Sequence, residues 1–205
     1  SETIAETGLM GVWEITEPAD NLLAVLPHLP DERAEARALL HPQKRLEFAA
    51  SRALLRYLTG LAGLPYDGLS KDDFGKPTLR GHAWHLSLTH DGRYAAAVMH
   101  PSHPVGIDLE TPRETLRRVA PRVLSPTELA HADNDLHRLA VYWTAKEALY
   151  KLYGKRGLFF STQLHVAPFG RGDDVVTGAI QTEGLEQTCR ITMRRVGDAF
   201  LAVAV

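Results

Sequence analysis

The stretch Val105-Gly106-Ile107-Asp108-Leu109-Glu110 alternates apolar with other residues at the two-residue period of a β-strand. On such a strand Val105, Ile107 and Leu109 are expected to face the core, with Gly106, Asp108 and Glu110 facing the other way. Two residues of strand advance ~6.6 Å, so two flexible carboxylates on one face can converge on one cation. Gly106 leaves room for a bulky ligand to approach the backbone. The plain alternative is an amphipathic edge strand with solvated acids.

The same order of elements stands on either side of His100-Pro101-Ser102-His103-Pro104, a loop signal with two prolines. Upstream come a β-like run at 11–15, helical stretches at 31–40 and 42–61, and strand-like runs at 84–89 and 94–99. The last two are joined by His90-Asp91-Gly92-Arg93, whose Asp-Gly pair favours a hairpin turn. Downstream the strand at 105–110 is followed by a short basic helix at 114–123 and a long helical pattern over 125–153. Strand-like runs at 175–181, 188–194 and 199–205 close the chain, the last two turning at Gly197-Asp198. Strand, helices, hairpin thus occurs in each half. The expectation is an α+β fold of two pseudo-duplicated lobes, 1–103 and 104–205, with the active-site cleft between them.

Of the 205 residues 44% are hydrophobic and 23% charged, which excludes a disordered, collagen-like or disulfide-scaffold chain. Lys and Arg total 23 against 25 Asp and Glu, so no global basic field argues for a nucleic-acid partner. The single cysteine, Cys189, excludes an internal disulfide and a multi-cysteine metal site. The acidic start Ser1-Glu2-Thr3-Ile4-Ala5-Glu6 is unlike a signal peptide, and no run approaches the ~18 apolar residues of a membrane span. A cytoplasmic protein is expected, monomeric because one chain supplies both lobes.

Chemistry gathers in Trp143-Thr144-Ala145-Lys146-Glu147-Ala148-Leu149-Tyr150-Lys151. At helical spacing Val141, Ala145, Ala148, Leu149 and Leu152 form an apolar stripe, and Trp143, Glu147 and Lys151 lie on roughly the opposite side. Large aromatics there, Tyr150 included, put that side against a second surface, with Glu147 and Lys151 lining a partly buried cleft. A surface Glu-Lys pair is the bland alternative. Asp108, Glu110 and Glu147 supply three hard oxygen donors, with Lys146 and Lys151 beside them. Such a set selects Mg²⁺ or Mn²⁺ over zinc and points to phosphoryl or phosphodiester chemistry. A basic set lies upstream: Lys44, Arg45 and Arg52 on the 42–61 helix, Lys76 in Gly75-Lys76-Pro77, and His90 beside Thr89. It reads as an anion pocket remote from the metal, or as a solvated helix face with a surface histidine.

Gly106-x-Asp108-x-Glu110 followed by Trp143-x-x-Lys146-Glu147-Ala148-x-x-Lys151 resembles the 4′-phosphopantetheinyl transferases, in their two-lobed surfactin-synthetase type. Arg122-Val123-Leu124-Ser125 with Glu128 resembles an intervening motif of that family. Lys44-Arg45 to Arg52, Gly75-Lys76-Pro77 and Ser87-Leu88-Thr89-His90-Asp91-Gly92 look like its N-terminal motifs, with Thr89 keeping the hydroxyl of the usual serine. The likeness runs from about Lys44 to Lys151.

The resemblance implies Mg²⁺-dependent transfer of the phosphopantetheine arm of coenzyme A to a serine of an acyl or peptidyl carrier protein, releasing adenosine 3′,5′-bisphosphate. It implies Asp108, Glu110 and Glu147 as metal ligands, with Glu147, Lys151 and Asp108 catalytic. Glu147 would take the serine proton, directly or through a metal-bound water, and Lys151 with Lys146 would offset phosphate charge. Lys44, Arg45, Arg52, Lys76, Thr89, His90, Lys146 and Lys151 would contact coenzyme A, its 3′-phosphate resting on Arg45, Arg52, Lys76 and His90. Arg113, Arg117, Arg118 and Arg122 would steer an acidic carrier, or else form a solvated face. Two rival readings are a metal-dependent nuclease and a non-catalytic carrier- or nucleotide-binding module. The nuclease calls for a basic groove and a lysine where Glu110 stands.

Overall fold

A computed structural model describes residues 2–4, 8–26 and 29–205. The chain divides into two compact units, Ser1–His103 and Pro104–Val205.

The first unit contains β1 (Glu2–Ile4), β2 (Gly8–Glu14), α1 (Ala19–Ala24), α2 (Pro30–Ala38), α3 (Pro42–Leu61), β3 (Leu69–Lys71), β4 (Pro77–Leu79), β5 (His85–His90) and β6 (Tyr94–His100). Pro42 opens α3, where its missing N–H costs nothing, and the His41 ring nitrogen accepts from the Gln43 N–H as a cap. Ala49, Ala50, Ala53, Leu54, Leu55 and Leu58 make the buried face of α3 and form the core with Leu86, Ala95, Ala97 and Met99. The sheet runs β1-β2-β6-β5, all antiparallel, while β3 and β4 pair separately. A Cβ on Gly11 would sit 2.8 Å from Leu54, so the glycine lets α3 pack close to β2.

The second unit contains β7 (Gly106–Glu110), α4 (Thr115–Val123), α5 (Pro126–Ala132), α6 (Leu136–Tyr153), α7 (Phe160–Gln163), β8 (Leu164–Val166), β9 (Val175–Thr182), β10 (Leu185–Val196) and β11 (Ala199–Ala204). Its sheet runs β7-β11-β10-β9-β8, again antiparallel. In each unit an early strand pairs with the last strand of a closing hairpin (β2 with β6, β7 with β11), and a long helix packs against both. This is the mixed, antiparallel α+β architecture expected from the pattern.

The continuous helical pattern over 125–153 breaks in two. Asp133 and Asn134 take left-handed φ of 47° and 54°, ending α5, and the Asp135 carboxylate accepts from the Arg138 N–H to start α6. Helix α6 is buried on most of its circumference rather than along one stripe. Among the described residues, no helix is long and apolar enough to cross a membrane.

Candidate active site

The first determinant of the site is an absent side chain. A Cβ on Gly106 would lie 2.0 Å from the Ala148 carbonyl oxygen and 2.5 Å from the Leu152 nitrogen, so only glycine lets α6 lie on β7 at this depth. This corrects two expectations. Gly106 makes room for a helix rather than a ligand, and the face carrying Gly106 and Asp108 is the one turned to α6. Asp108 is paired with Ala202, and Gly106 with Ala204, and both alanines belong to the core of this unit.

With α6 held there, Lys151 reaches across to Asp108, its Nζ 2.7 Å from Oδ1. Asp108 is 7% exposed, so the pair works in a poorly solvated setting. Glu147, one turn before Lys151, has its carboxyl pushed up to about 7. Burial is the main cause, followed by the negative charge of Asp108; Lys151 opposes the shift and Glu110 adds to it. Glu110, two residues along β7, accepts from Arg113 Nε at 2.6 Å.

Asp108, Glu110 and Glu147 are therefore within electrostatic reach of one another. Among the described residues no group of three His, Cys, Asp or Glu side chains is arranged to hold a metal ion. Lysine and arginine lie instead against Asp108 and Glu110. The donors nonetheless suit a hard divalent ion: all are carboxylate oxygens, and their crowding is what a cation would relieve.

Lys146 does not belong to this set. It is fully buried, and its ammonium donates to Glu128 Oε2 at 2.6 Å, the Val123 carbonyl at 2.8 Å and the Phe160 carbonyl at 2.9 Å. Three donors meet three acceptors, so the expected coenzyme A contact is a structural tie. Sequence reasoning missed this partnership, although Glu128 carried a signal. It closes a capping box on Ser125, and its other oxygen accepts from the Val166 N–H at 2.9 Å. Trp143 and Tyr150 pack on Phe160, with ring centroids 6.4 Å and 5.3 Å away. The surface covering those aromatics thus includes α7 of the same unit.

The basic residues of the first unit are drawn to several different carboxylates of that unit. Lys44 and His90 both meet Glu47, at 2.9 Å and 3.2 Å. Arg45 pairs with Asp20 of α1 at 2.7 Å. Arg52 pairs with the buried Glu32 of α2 at 3.0 Å and lies 4.2 Å above the Phe48 ring. Glu32 also accepts from the Tyr66 hydroxyl at 2.8 Å, a link with no sequence signal. Arg45 and Arg52 line different cavities, the second shared with Arg80 and Lys71. Their spacing of seven did not bring them together, because each is drawn to a carboxylate on a different helix. Lys76 follows the turn after β3, where burial lowers its pKa. Thr89 is buried on β5.

The arginines around α4 are partly engaged within the unit. Arg113 holds Glu110, while Arg117 holds Glu114 at 2.9 Å and donates to the Asn134 carbonyl. Arg118 and Arg122 are exposed.

Two comparisons bear on this geometry. The chain is 28% identical to a 4′-phosphopantetheinyl transferase of Bacillus subtilis, over 61% of its own length and 59% of that protein. It is 33% identical to the 4′-phosphopantetheinyl transferase HetI of Nostoc sp. (strain PCC 7120), over 60% of its own length and 58% of that protein. The likeness thus spans under two thirds of either relative. Residues 104–189, which hold β7, α6 and every carboxylate of the site, match the model of the 4′-phosphopantetheinyl transferase superfamily.

Proposed function

We propose that this chain transfers the 4′-phosphopantetheine arm of coenzyme A to a serine hydroxyl of an acyl or peptidyl carrier protein. The observation that carries the reading is the meeting of Asp108 and Lys151 across β7 and α6, beside a Glu147 whose carboxyl is raised to about 7. The family match over residues 104–189 supports it.

In this reading the serine oxygen attacks the β-phosphorus of coenzyme A. The pyrophosphate bond breaks, and adenosine 3′,5′-bisphosphate leaves with the bond electrons. A carboxylate that titrates near neutrality is suited to take the serine proton, which assigns Glu147 as base. Lys151 offsets charge that builds on the leaving phosphate, and Asp108 fixes the lysine for that task. A Mg²⁺ or Mn²⁺ ion held by Asp108, Glu110 and Glu147 would supply Lewis-acid polarisation of the phosphate oxygens. Lys76, Thr89 and His90, with Lys44 sharing Glu47, are the proposed contacts to coenzyme A and its 3′-phosphate. Arg118 and Arg122 are the proposed steering charges for the carrier. The reading carries with it a cytoplasmic, monomeric enzyme with no nucleic-acid or membrane partner.

The test is mass spectrometry of apo carrier proteins incubated with the chain, coenzyme A and Mg²⁺. The expected result is a mass gain of one phosphopantetheine arm, abolished by a chelator and restored by added Mg²⁺. A folded chain that modifies no fatty-acid, polyketide or peptide-synthesis carrier contradicts the reading. Cleavage of DNA or RNA by the same sample would favour the nuclease instead.

A further inference from the structure

We infer that Gln43 and Glu47, on the first two turns of α3, are positioning residues for His90. They clamp the β5–β6 turn so that the imidazole meets the 3′-phosphate of coenzyme A in one orientation. The clamp rests on the coenzyme A reading proposed above and adds to it two residues that need not touch the phosphate.

Gln43 and Glu47 stand four residues apart and so share one face of α3. That face meets the tip of the β5–β6 hairpin. Gln43 Nε2 donates to the Gly92 carbonyl at 2.9 Å and to Glu47 Oε1 at 3.4 Å. Glu47 Oε2 lies 3.2 Å from His90 Nδ1 and accepts from Lys44 Nζ at 2.9 Å. The helix thus holds the turn at two places, one of them the histidine itself.

The turn is stiff enough to transmit the hold. Asp91 Oδ1 accepts from the Tyr94 N–H at 3.2 Å, and the Asp91 N–H donates to the Tyr94 carbonyl at 3.1 Å. Glu47 is 5% exposed, so its carboxylate has no room to swing away from the ring. A carboxylate only accepts, and the ring nitrogen facing it carries a proton. That contact fixes the direction of the ring and therefore the line along which Nε2 points. The imidazole is 36% exposed, within reach of a ligand. By itself the carboxylate would repel a phosphate, but Lys44 on the same oxygen offsets that charge.

Calorimetric titration with coenzyme A and with its 3′-dephospho form, Mg²⁺ present and no carrier, tests the clamp without calling on transfer. Glu47→Ala and Glu47→Gln remove the same charge, but glutamine keeps an oxygen for Nδ1. The difference between the two variants therefore reports the contact rather than the charge. Glu47→Ala should bind coenzyme A about fivefold more weakly than Glu47→Gln, and the gap should close for the 3′-dephospho form and in the His90→Ala background. Gln43→Ala, a neutral change at a half-buried site, carries the same test should Glu47→Ala not fold. It should weaken coenzyme A about threefold, and only while His90 is present. Equal binding by the two Glu47 variants, or a gap that persists without His90 or without the 3′-phosphate, overturns the clamp while the transfer reaction stands. The predicted gap in a chain that modifies no carrier supports the clamp and overturns the transfer reading. Binding of neither nucleotide overturns both.

Discussion

Lys151 Nζ on α6 stands 2.7 Å from Asp108 Oδ1 on β7, beside the point where Gly106 lets the helix rest on strand backbone. The contact links three levels of the molecule. A glycine sets the helix depth, that depth sets the reach of the lysine, and the lysine tempers a group of carboxylates that would otherwise repel one another.

Gly106→Ala is expected to cost about 3 kcal/mol or more of stability, the upper end of the overpacking range, because the new methyl meets a backbone carbonyl that cannot rotate away. Urea unfolding measures this. A midpoint equal to that of the unmodified protein would mean that α6 is free to shift.

Lys146→Met should destabilise by about 3–5 kcal/mol, since it strands Glu128 as an uncompensated buried charge. Adding Glu128→Gln to that variant should recover part of the loss by removing the charge. If the double variant is no better than the single one, the ion pair is not the reason for the cost.

Acid should weaken the first unit through a histidine. The buried His100 accepts at Nδ1 from the N–H groups of Ser102 and His103, at 3.1 Å and 2.9 Å, and it loses both bonds when protonated. Burial lowers its pKa below the ordinary histidine value of about 6.5, with His103 and His85 adding to the effect. The unfolded chain therefore binds the proton first, and stability falls as pH drops from about 6.5 through the lower folded value. His100→Asn should flatten this slope in unfolding measured from pH 5 to 8; an unchanged slope assigns the loss to other groups.

For coenzyme A, His90→Ala and Lys76→Ala should each raise KM about tenfold, the scale of one lost charged contact to a phosphate. The effect should be smaller for the 3′-dephospho form. Arg45→Ala should change neither constant, because its guanidinium is held by Asp20 of α1. A large effect of Arg45→Ala, or equal effects of His90→Ala on both substrates, contradicts this division.

Much of the architecture could be read before any coordinates, because it rests on periodicity. The 105–110 run, the 42–61 helix and both closing hairpins announced themselves by spacing and by Asp-Gly or Gly-Asp turns, whereas the break at Asp133–Asn134 in the 125–153 pattern did not. Strands β1, β3, β4 and β8 are three residues each, too short for a period to emerge. Helix α1 has six residues and no side-chain cap bond. The motif residues Asp108, Glu147 and Lys151 were visible as types at helical and strand spacing, but their facing was not. A strand covered on both sides gives no contrast between its faces, and so the side turned to α6 was misassigned. Lys146 and Glu147 are adjacent, yet they point about 100° apart on a helix. Only packing decides that the lysine enters the core and the glutamate joins the site.

The most direct test of the central assignment is the rate of carrier modification by Asp108→Ala at saturating coenzyme A and Mg²⁺, followed by mass spectrometry alongside the unmodified chain. The assignment predicts a fall of at least about a hundredfold in a protein that still unfolds cooperatively. A rate within a few-fold of the unmodified chain would remove the β7 carboxylate from the chemistry and contradict it.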